Sequence, residues 1–405
     1  MTHIVVVGAG QAAVALAARL RLEGFAGDIT LIGDEPFAPY ERPPLSKGIL
    51  LGNTARESIL LRETAWYGQH GVTLRTGVPA VGIDTAARFV RLEDGSRLTY
   101  DELVFCTGAV PRKLPGEMGG SLASVHALRG MADTDRLAAE LAPGRHVLVL
   151  GGGYIGLETA ATAIRRGLRV TLVEMAPRIL QRVACPQTSA YFQALHESQG
   201  VRILVSTGLA RLAGTERVSA AELADGTMVP IDLAVVGIGV VPETGLAQSA
   251  GVATSNGIDT DAEGRTNLPH VWAAGDCANF VYNGRRIRIE SVGNAIDRAE
   301  TVARGILGKE QDPATVPWFW SDQYDCNLQI AGLNLGYDAV HEKTFPARPA
   351  SRVHWYYRQD RLIACDAMNA PRDYMIAKRL IEAGQSPDPA ILCRPDADLK
   401  TLLRR

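Results

Sequence analysis

Gly8, Gly10 and Ala13 stand in a G-x-G-x-x-A pattern within HIVVVGAGQAA, and Asp34 and Glu35 follow about 20 residues later. Such a set binds rather than reacts. One glycine makes a tight turn, a second lets backbone N–H groups approach a pyrophosphate, and a carboxylate accepts hydrogen bonds from a ribose. The set then recurs: Gly151, Gly153 and Gly156 give the full G-x-G-x-x-G in RHVLVLGGGYIGLE, and Glu174 lies 18 residues beyond Gly156. A carboxylate at that distance favours a free 2′-hydroxyl and repels a 2′-phosphate, which argues for NAD over NADP, a preference that Arg178 four residues on tempers. Two such sets imply two bound dinucleotides. Two dinucleotides in one chain suggest a hydride relay, in which a nicotinamide delivers two electrons and a flavin can hold them and release them singly.

Other stretches fit that chemistry. In TNLPHVWAAGDCANF a short strand ends in Gly275-Asp276 at a helix start, where a carboxylate can meet a ribityl chain while helix N–H groups face a pyrophosphate. In PYERPPLSKGIL two prolines stiffen the chain just before Ser46 and Lys47 and present that lysine at a helix start.

The elements that must position these residues are legible from periodicity. HIVVV, QAAVALAARLRLEG and ITLIGDE read as strand, helix and strand, and RHVLVL, the helix after GGGYIGLE and LRVTLVEM repeat the unit. Toward the end of the chain, SRVHWYYRQ reads as a strand and IAKRLIEAG as a helix. At 405 residues more than one core is expected, and PRKLPGE (111–117) and KEQDPATVP (309–317) are Pro-rich, charged connectors.

Composition narrows the function classes. With 46% hydrophobic residues, 21% charged and a net charge of −2, nothing pulls the chain as a whole toward nucleic acid or a membrane. The six cysteines form no C-x-x-C or C-x-x-x-x-C pair and no zinc-type cluster with histidines, so a thiol–disulfide catalyst and a metal site are not expected. The apolar N-terminus lacks a basic n-region and is broken by Gly-Ala-Gly, and no run approaches the ~18 to 20 apolar residues of a membrane span, so a cytoplasmic setting is expected.

The run from Thr266 to Asp276, the crossover-like segments VFCTGAVPR (104–112) and VVGIGVVPET (235–244), PPLSK, GGGYIGLE, RIESVGNA (288–295) and WFWSDQYD (318–325) together resemble one family. It is that of the FAD-dependent pyridine-nucleotide reductases, in the branch of ferredoxin reductases that serve bacterial haem monooxygenases and Rieske-type ring-hydroxylating dioxygenases. The resemblance spans residues 3 to 375 or so. It implies an α/β fold with two Rossmann-like dinucleotide-binding domains and a C-terminal α+β domain. The FAD domain would be split into 1–110 and 241–315, the NAD domain 111–240 inserted, and the C-terminal domain would cover 316–405. Disulfide-reducing members carry a cysteine pair near the position of PPLSK. This chain has no cysteine before Cys106, which leaves the flavin as sole redox centre.

The resemblance also assigns roles. Lys47 would face the flavin N5, Glu158 would approach both Lys47 and the nicotinamide, and Tyr154 would gate the nicotinamide pocket or pack in the core. Trp320 would lie on the opposite flavin face, near an acceptor. For FAD, Arg42 and Pro43 beside Lys47, Ala12 and Arg129 at the pyrophosphate, Ala80 at the adenine, Thr107 and Gly108 at the first crossover, and Val292 at the pyrimidine edge join Gly8, Gly10, Ala13, Asp34, Glu35, Gly275 and Asp276. For NADH, Ile155 and Gly239 join Gly151, Gly153, Tyr154, Gly156, Glu158 and Glu174. The implied partner is an acidic 2Fe–2S ferredoxin, with Arg62, Arg285, Arg286, Arg288 and Arg298 as docking cations. Rubredoxin reductase, monodehydroascorbate reductase and NADH oxidase share the fold and are the alternative enzymes. Relatives of the apoptosis-inducing-factor kind, a binding module, would carry a targeting segment and excess basic charge.

Overall fold

In the structure, a computed structural model that describes residues 2–312 and 315–404, the chain divides into two compact units. The first comprises Met1–Arg42, Ala55–Val110 and Val240–Ala314. Its central sheet is parallel, in the order Val271–Ala273, Glu102–Phe105, His3–Val7, Asp28–Gly33, Val72–Thr76. The middle strand His3–Val7 has Ile4, Val5 and Val6 at 0% exposure, because a strand covered on both faces must be apolar at every position. The helix Gln11–Leu22 covers one face and packs on Val292–Ile306, their small residues Ala13, Ala17, Ala299 and Ala303 permitting a close approach. A three-stranded antiparallel sheet, Ala80–Asp84, Phe89–Leu92 and Arg97–Thr99, belongs to the same unit.

The second unit comprises Pro43–Thr54, Pro111–Gly239 and Thr315–Arg405. Its parallel sheet runs Arg202–Leu204, Arg169–Val173, His146–Leu150, Leu233–Val236, Val125–His126, with the helix Tyr154–Arg165 after the second glycine loop. The last stretch of chain adds an antiparallel sheet, Trp318–Gln323, Cys326–Gly332, Arg361–Met368, Arg352–Arg358, Ala339–Thr344, backed by the helix Pro371–Glu382. Leu50, from the Pro43–Thr54 excursion, is fully buried in one cluster with Leu157, Phe192 and Leu328. That apolar anchor explains why twelve residues leave the first unit's sequence neighbourhood and fold with the second. No helix of the described residues is long and apolar enough to cross a membrane.

Candidate active site

Both glycine loops sit where a parallel strand hands over to a helix. In the first unit Gly8 has φ +116, and a Cβ there would lie 2.1 Å from the Cys106 carbonyl oxygen, so only glycine fits. Gly151 plays the same part in the second unit, with φ +101 and a Cβ position 2.4 Å from the Gly237 carbonyl oxygen. Gly10 and Gly153, the residues just before each helix, differ: a Cβ on either would meet nothing within 4 Å. Each loop therefore leaves open space in front of free helix N–H groups, the cradle a pyrophosphate needs. Ala13 and Gly156 are buried where their helices meet the strands.

The carboxylates expected at the two riboses are held in place. Glu35 accepts hydrogen bonds from Arg42 Nη2 at 2.6 Å and from the Tyr40 hydroxyl, whereas Asp34 is exposed and turned to the Glu35 backbone N–H. Glu174 accepts from Gly152 N at 2.7 Å and Ala176 N at 2.8 Å, which ties it to the glycine loop itself. Arg178 spends its guanidinium elsewhere, on the Ala184 and Gln181 carbonyls and the Ser189 hydroxyl.

The other first-unit residues expected at the site stand as follows. Thr107 donates to the Glu243 carbonyl at 2.6 Å, and Gly108 follows with φ +69. Gly275 has φ +83 and faces Ala12, and Asp276 follows it. The helix expected there does not form: the chain turns instead into the strand Ala278–Tyr282, which pairs with Gly257–Asp259. Val292 is the first residue of its helix, capped by Ser291. Ala80 opens its strand. The arginines expected at a docking face divide. Arg286 is bound to Asp259 and the Asn279 carbonyl, Arg288 to Glu290 and the Asp276 carbonyl, and Arg298 to the Ala262 carbonyl over the Phe280 ring. Arg62 donates to the Leu61 carbonyl at 2.8 Å over the Trp66 ring, and Arg62, Arg285 and Arg286 are all exposed.

The second unit brings Lys47 to Glu158. Lys47 Nζ lies 2.8 Å from Glu158 Oε2 and donates to the Pro43 carbonyl at 3.2 Å. Glu158 is 3% exposed, so its charge must be met by protein. It is: Ser46 donates to Oε2 and Ser321 to Oε1, both at 2.6 Å. The helix bearing Glu158 grips the lysine segment further along the same face, for Thr162 donates to the Ser46 carbonyl at 2.7 Å and Arg166 to the Leu50 carbonyl at 3.0 Å. Residues 158, 162 and 166 share one helix face by their four-residue spacing. Sequence reasoning missed Ser46, Thr162, Arg166 and Ser321; the spacing E-x-x-x-T-x-x-x-R was a signal for Thr162 and Arg166 alone.

Tyr154 begins the same helix, its ring tilted on Phe319 with centroids 4.6 Å apart. Its buried hydroxyl has no partner among the described residues, and burial pushes the phenol well above its ordinary value. Ile155, by contrast, is 46% exposed at the mouth of the loop. Trp320 stacks on Trp318 at 5.5 Å, and Gly239 has φ +99 next to Arg182 and Arg112. Arg129 precedes the helix Met131–Ala138, and its backbone N–H donates to Asp133. All six cysteines are free thiols. Cys185, His354 and Asp366 are close enough to share an ion, but the Thr188 hydroxyl stands among them, 3.3 Å from Sγ and 2.7 Å from both the imidazole Nδ1 and the carboxylate.

This donor set fits FAD and a nicotinamide dinucleotide: a glycine loop open before a helix in each unit, a tethered carboxylate following each loop, and the Lys47–Glu158 pair in the second unit. Residues 2–299 match the pyridine nucleotide-disulphide oxidoreductase family and residues 318–403 the reductase C-terminal family. The chain is 43% identical over 409 residues to a ferredoxin–NAD(P)(+) reductase of Sphingomonas sp, covering 99% of this chain and 98% of the relative. It is 38% identical to putidaredoxin reductase of Pseudomonas putida, over 99% and 96% of the two chains. Among solved structures, the reductase of a covalent putidaredoxin reductase–putidaredoxin complex superposes with a TM-score of 0.96 at 36% identity, over 100% of this chain and 98% of that one. The chain belongs to the pyridine nucleotide-disulphide oxidoreductase family, in the company of its ferredoxin reductases and without a redox disulfide of its own.

Proposed function

We propose that this protein is an FAD-dependent NADH:ferredoxin oxidoreductase that supplies electrons to a haem monooxygenase or a Rieske-type ring-hydroxylating dioxygenase through an acidic 2Fe–2S ferredoxin. The observation that carries this reading is the buried Lys47–Glu158 pair beside the second glycine loop, in a chain whose cysteines are all unpaired. Bound FAD would supply the two-electron to one-electron conversion. The chain's residues do the rest. Gly8, Gly10, Ala12, Glu35 and Asp276 hold the adenosine, pyrophosphate and ribityl parts of FAD, with Arg42, Ala80, Thr107, Arg129 and Val292 completing its contacts. Gly151, Gly153, Gly156 and Glu174 bind NADH, the Glu174 carboxylate favouring a free 2′-hydroxyl. Lys47 presents an ammonium whose position Glu158 and the Pro43 carbonyl fix, so its field is preorganised. Glu158 fixes the lysine and offers its carboxylate to the carboxamide, Tyr154 borders the same pocket, and Trp320 stands on the acceptor side. The same reading divides the chain into an FAD domain of 1–110 with 241–315, an NAD domain of 111–240 and a C-terminal domain of 316–405, working in the cytoplasm.

The test is an electron-transfer assay with purified FAD-loaded protein, NADH or NADPH, cytochrome c and candidate acceptors. NADH with a 2Fe–2S ferredoxin should raise cytochrome c reduction well above background, and the rate should fall with added salt. A rate that only rubredoxin raises, or none that any acceptor raises, would sink the proposal.

A further inference from the structure

Strand Trp318–Gln323 carries Ser321 and Gln323 on its buried face, both at 0% exposure, where core strands carry apolar residues. Buried polar side chains need partners, and theirs form a line. Ser321 Oγ is 2.6 Å from Glu158 Oε1, Gln323 Nε2 is 3.1 Å from Ser321 Oγ, and His196 Nε2 is 2.8 Å from Gln323 Oε1. The Tyr324 hydroxyl is 3.1 Å from His196 Nδ1. His196 comes from the helix Pro186–Ser198 and is itself 0% exposed, while Tyr324 is half-buried in the turn after the strand.

The direction of every bond follows from one end. A carboxylate only accepts, so the single Ser321 proton goes to Glu158. The Ser321 oxygen must then accept from the Gln323 amide, whose carbonyl accepts from His196 Nε2–H. That leaves His196 Nδ1 to accept from the Tyr324 hydroxyl. Turning the Gln323 amide over would set its oxygen against Ser321, competing for a proton already committed. Four hydrogen bonds therefore point toward Glu158, and bonds in such a series polarise one another in a dry interior. Burial lowers the imidazole's affinity for a second proton, which suits a ring that must both donate and accept.

We propose that Ser321, Gln323 and His196 are positioning residues for Glu158, a one-way hydrogen-bond chain closed by Tyr324 that fixes Oε1 while Lys47 and Ser46 fix Oε2. The proposal rests on the role given to Glu158 above. An amide cannot relay protons readily, so the chain orients the carboxylate rather than conducting to it.

The test uses the FAD-bound protein labelled with 15N-histidine, the His196 resonances being assigned by their loss in His196→Gln. At pH 7 His196 should be neutral and protonated at Nε2; a ring protonated at Nδ1 overturns the proposal. In stopped-flow reduction by NADH, Gln323→Leu keeps the side-chain volume and breaks the chain. Its limiting rate should fall about tenfold while the apparent NADH affinity moves less than about threefold, the split expected when a group acts mainly in the transition state. A wild-type limiting rate in Gln323→Leu, with Glu158→Gln slow, overturns this proposal alone. A wild-type rate in Glu158→Gln overturns the reading of Glu158 and the proposal with it.

Discussion

Replacing Lys47 by Met removes the cation from a 3%-exposed carboxylate and keeps most of the side-chain volume. At 2.8 Å the attraction is about 6 kcal/mol for an effective dielectric near ~20. Desolvation cancels several kcal/mol of that. The Lys47 side chain also keeps 19% of its exposure, which screens it further, so a net coupling of about 2 kcal/mol is expected. The Ser46 and Ser321 hydroxyls remain on Glu158 in the variant, which holds the loss below that for a carboxylate left bare. The assay is a double-mutant cycle of Lys47→Met, Glu158→Gln and the pair, read by thermal unfolding and by stopped-flow flavin reduction with NADH. Each single variant should slow reduction by about tenfold to hundredfold, and the double variant should lose little beyond the worse single, as for groups that act as one unit. Coupling below about 0.5 kcal/mol in both readouts would refute the argument, for the two residues would then be neighbours without being partners.

Two further outcomes are expected. Glu174→Ala should raise the KM for NADH about tenfold with kcat nearly unchanged and should narrow the preference over NADPH, because the carboxylate that anchors Gly152 N also repels a 2′-phosphate; steady-state kinetics with both nucleotides check it. In the buried cluster around Thr188, burial raises the Asp366 carboxyl to about 6 and lowers the His354 imidazole to about 4. A raised carboxyl gives stability that is present below its unfolded value of about 4 and is lost as pH rises through about 6. A lowered imidazole gives stability present above about 6.5 and lost as pH falls through about 4. The two slopes oppose each other between pH 4 and 6.5, so wild-type stability should vary little there. Asp366→Asn removes one arm, and its melting temperature should then rise with pH across that window; an unchanged, flat profile would count against this account.

The two βαβ units were legible because each rests on local signals, a β-branched run, a glycine turn and a helical period, that need no distant partner. The place of Glu174 just past the strand Arg169–Val173 was legible for the same reason. The surroundings of Glu158 were not: Ser46 reaches it across 112 residues of sequence and Ser321 across 163, and nothing within either local stretch points to the other. The alternation in WFWSDQYD placed an aromatic pair and two polar side chains on opposite faces, but a single strand cannot say which face is buried. Arg286, Arg288 and Arg298 show the reverse limit. Their charges were visible, yet local carbonyls and carboxylates occupy them, because a guanidinium near irregular backbone finds acceptors close by.

The helix after the second glycine loop holds the lysine segment at three separate points, and this bears on what a Lys47 variant can report. Glu158 takes the Ser46 hydroxyl and the Lys47 ammonium, Thr162 donates to the Ser46 carbonyl, and Arg166 donates to the Leu50 carbonyl. Pro43 and Pro44 begin a 3₁₀ turn with fixed φ and no N–H to satisfy, and Leu50 is buried at the far end. Only one of these holds depends on the lysine's charge. Removing the ammonium should therefore leave Pro43–Thr54 in place, so that a slow Lys47→Met enzyme reports lost electrostatics rather than a lost segment. Thr162→Val provides the contrast: it keeps charge and volume but strands the buried Ser46 carbonyl, and should lower the melting temperature while leaving the Lys47–Glu158 coupling measurable.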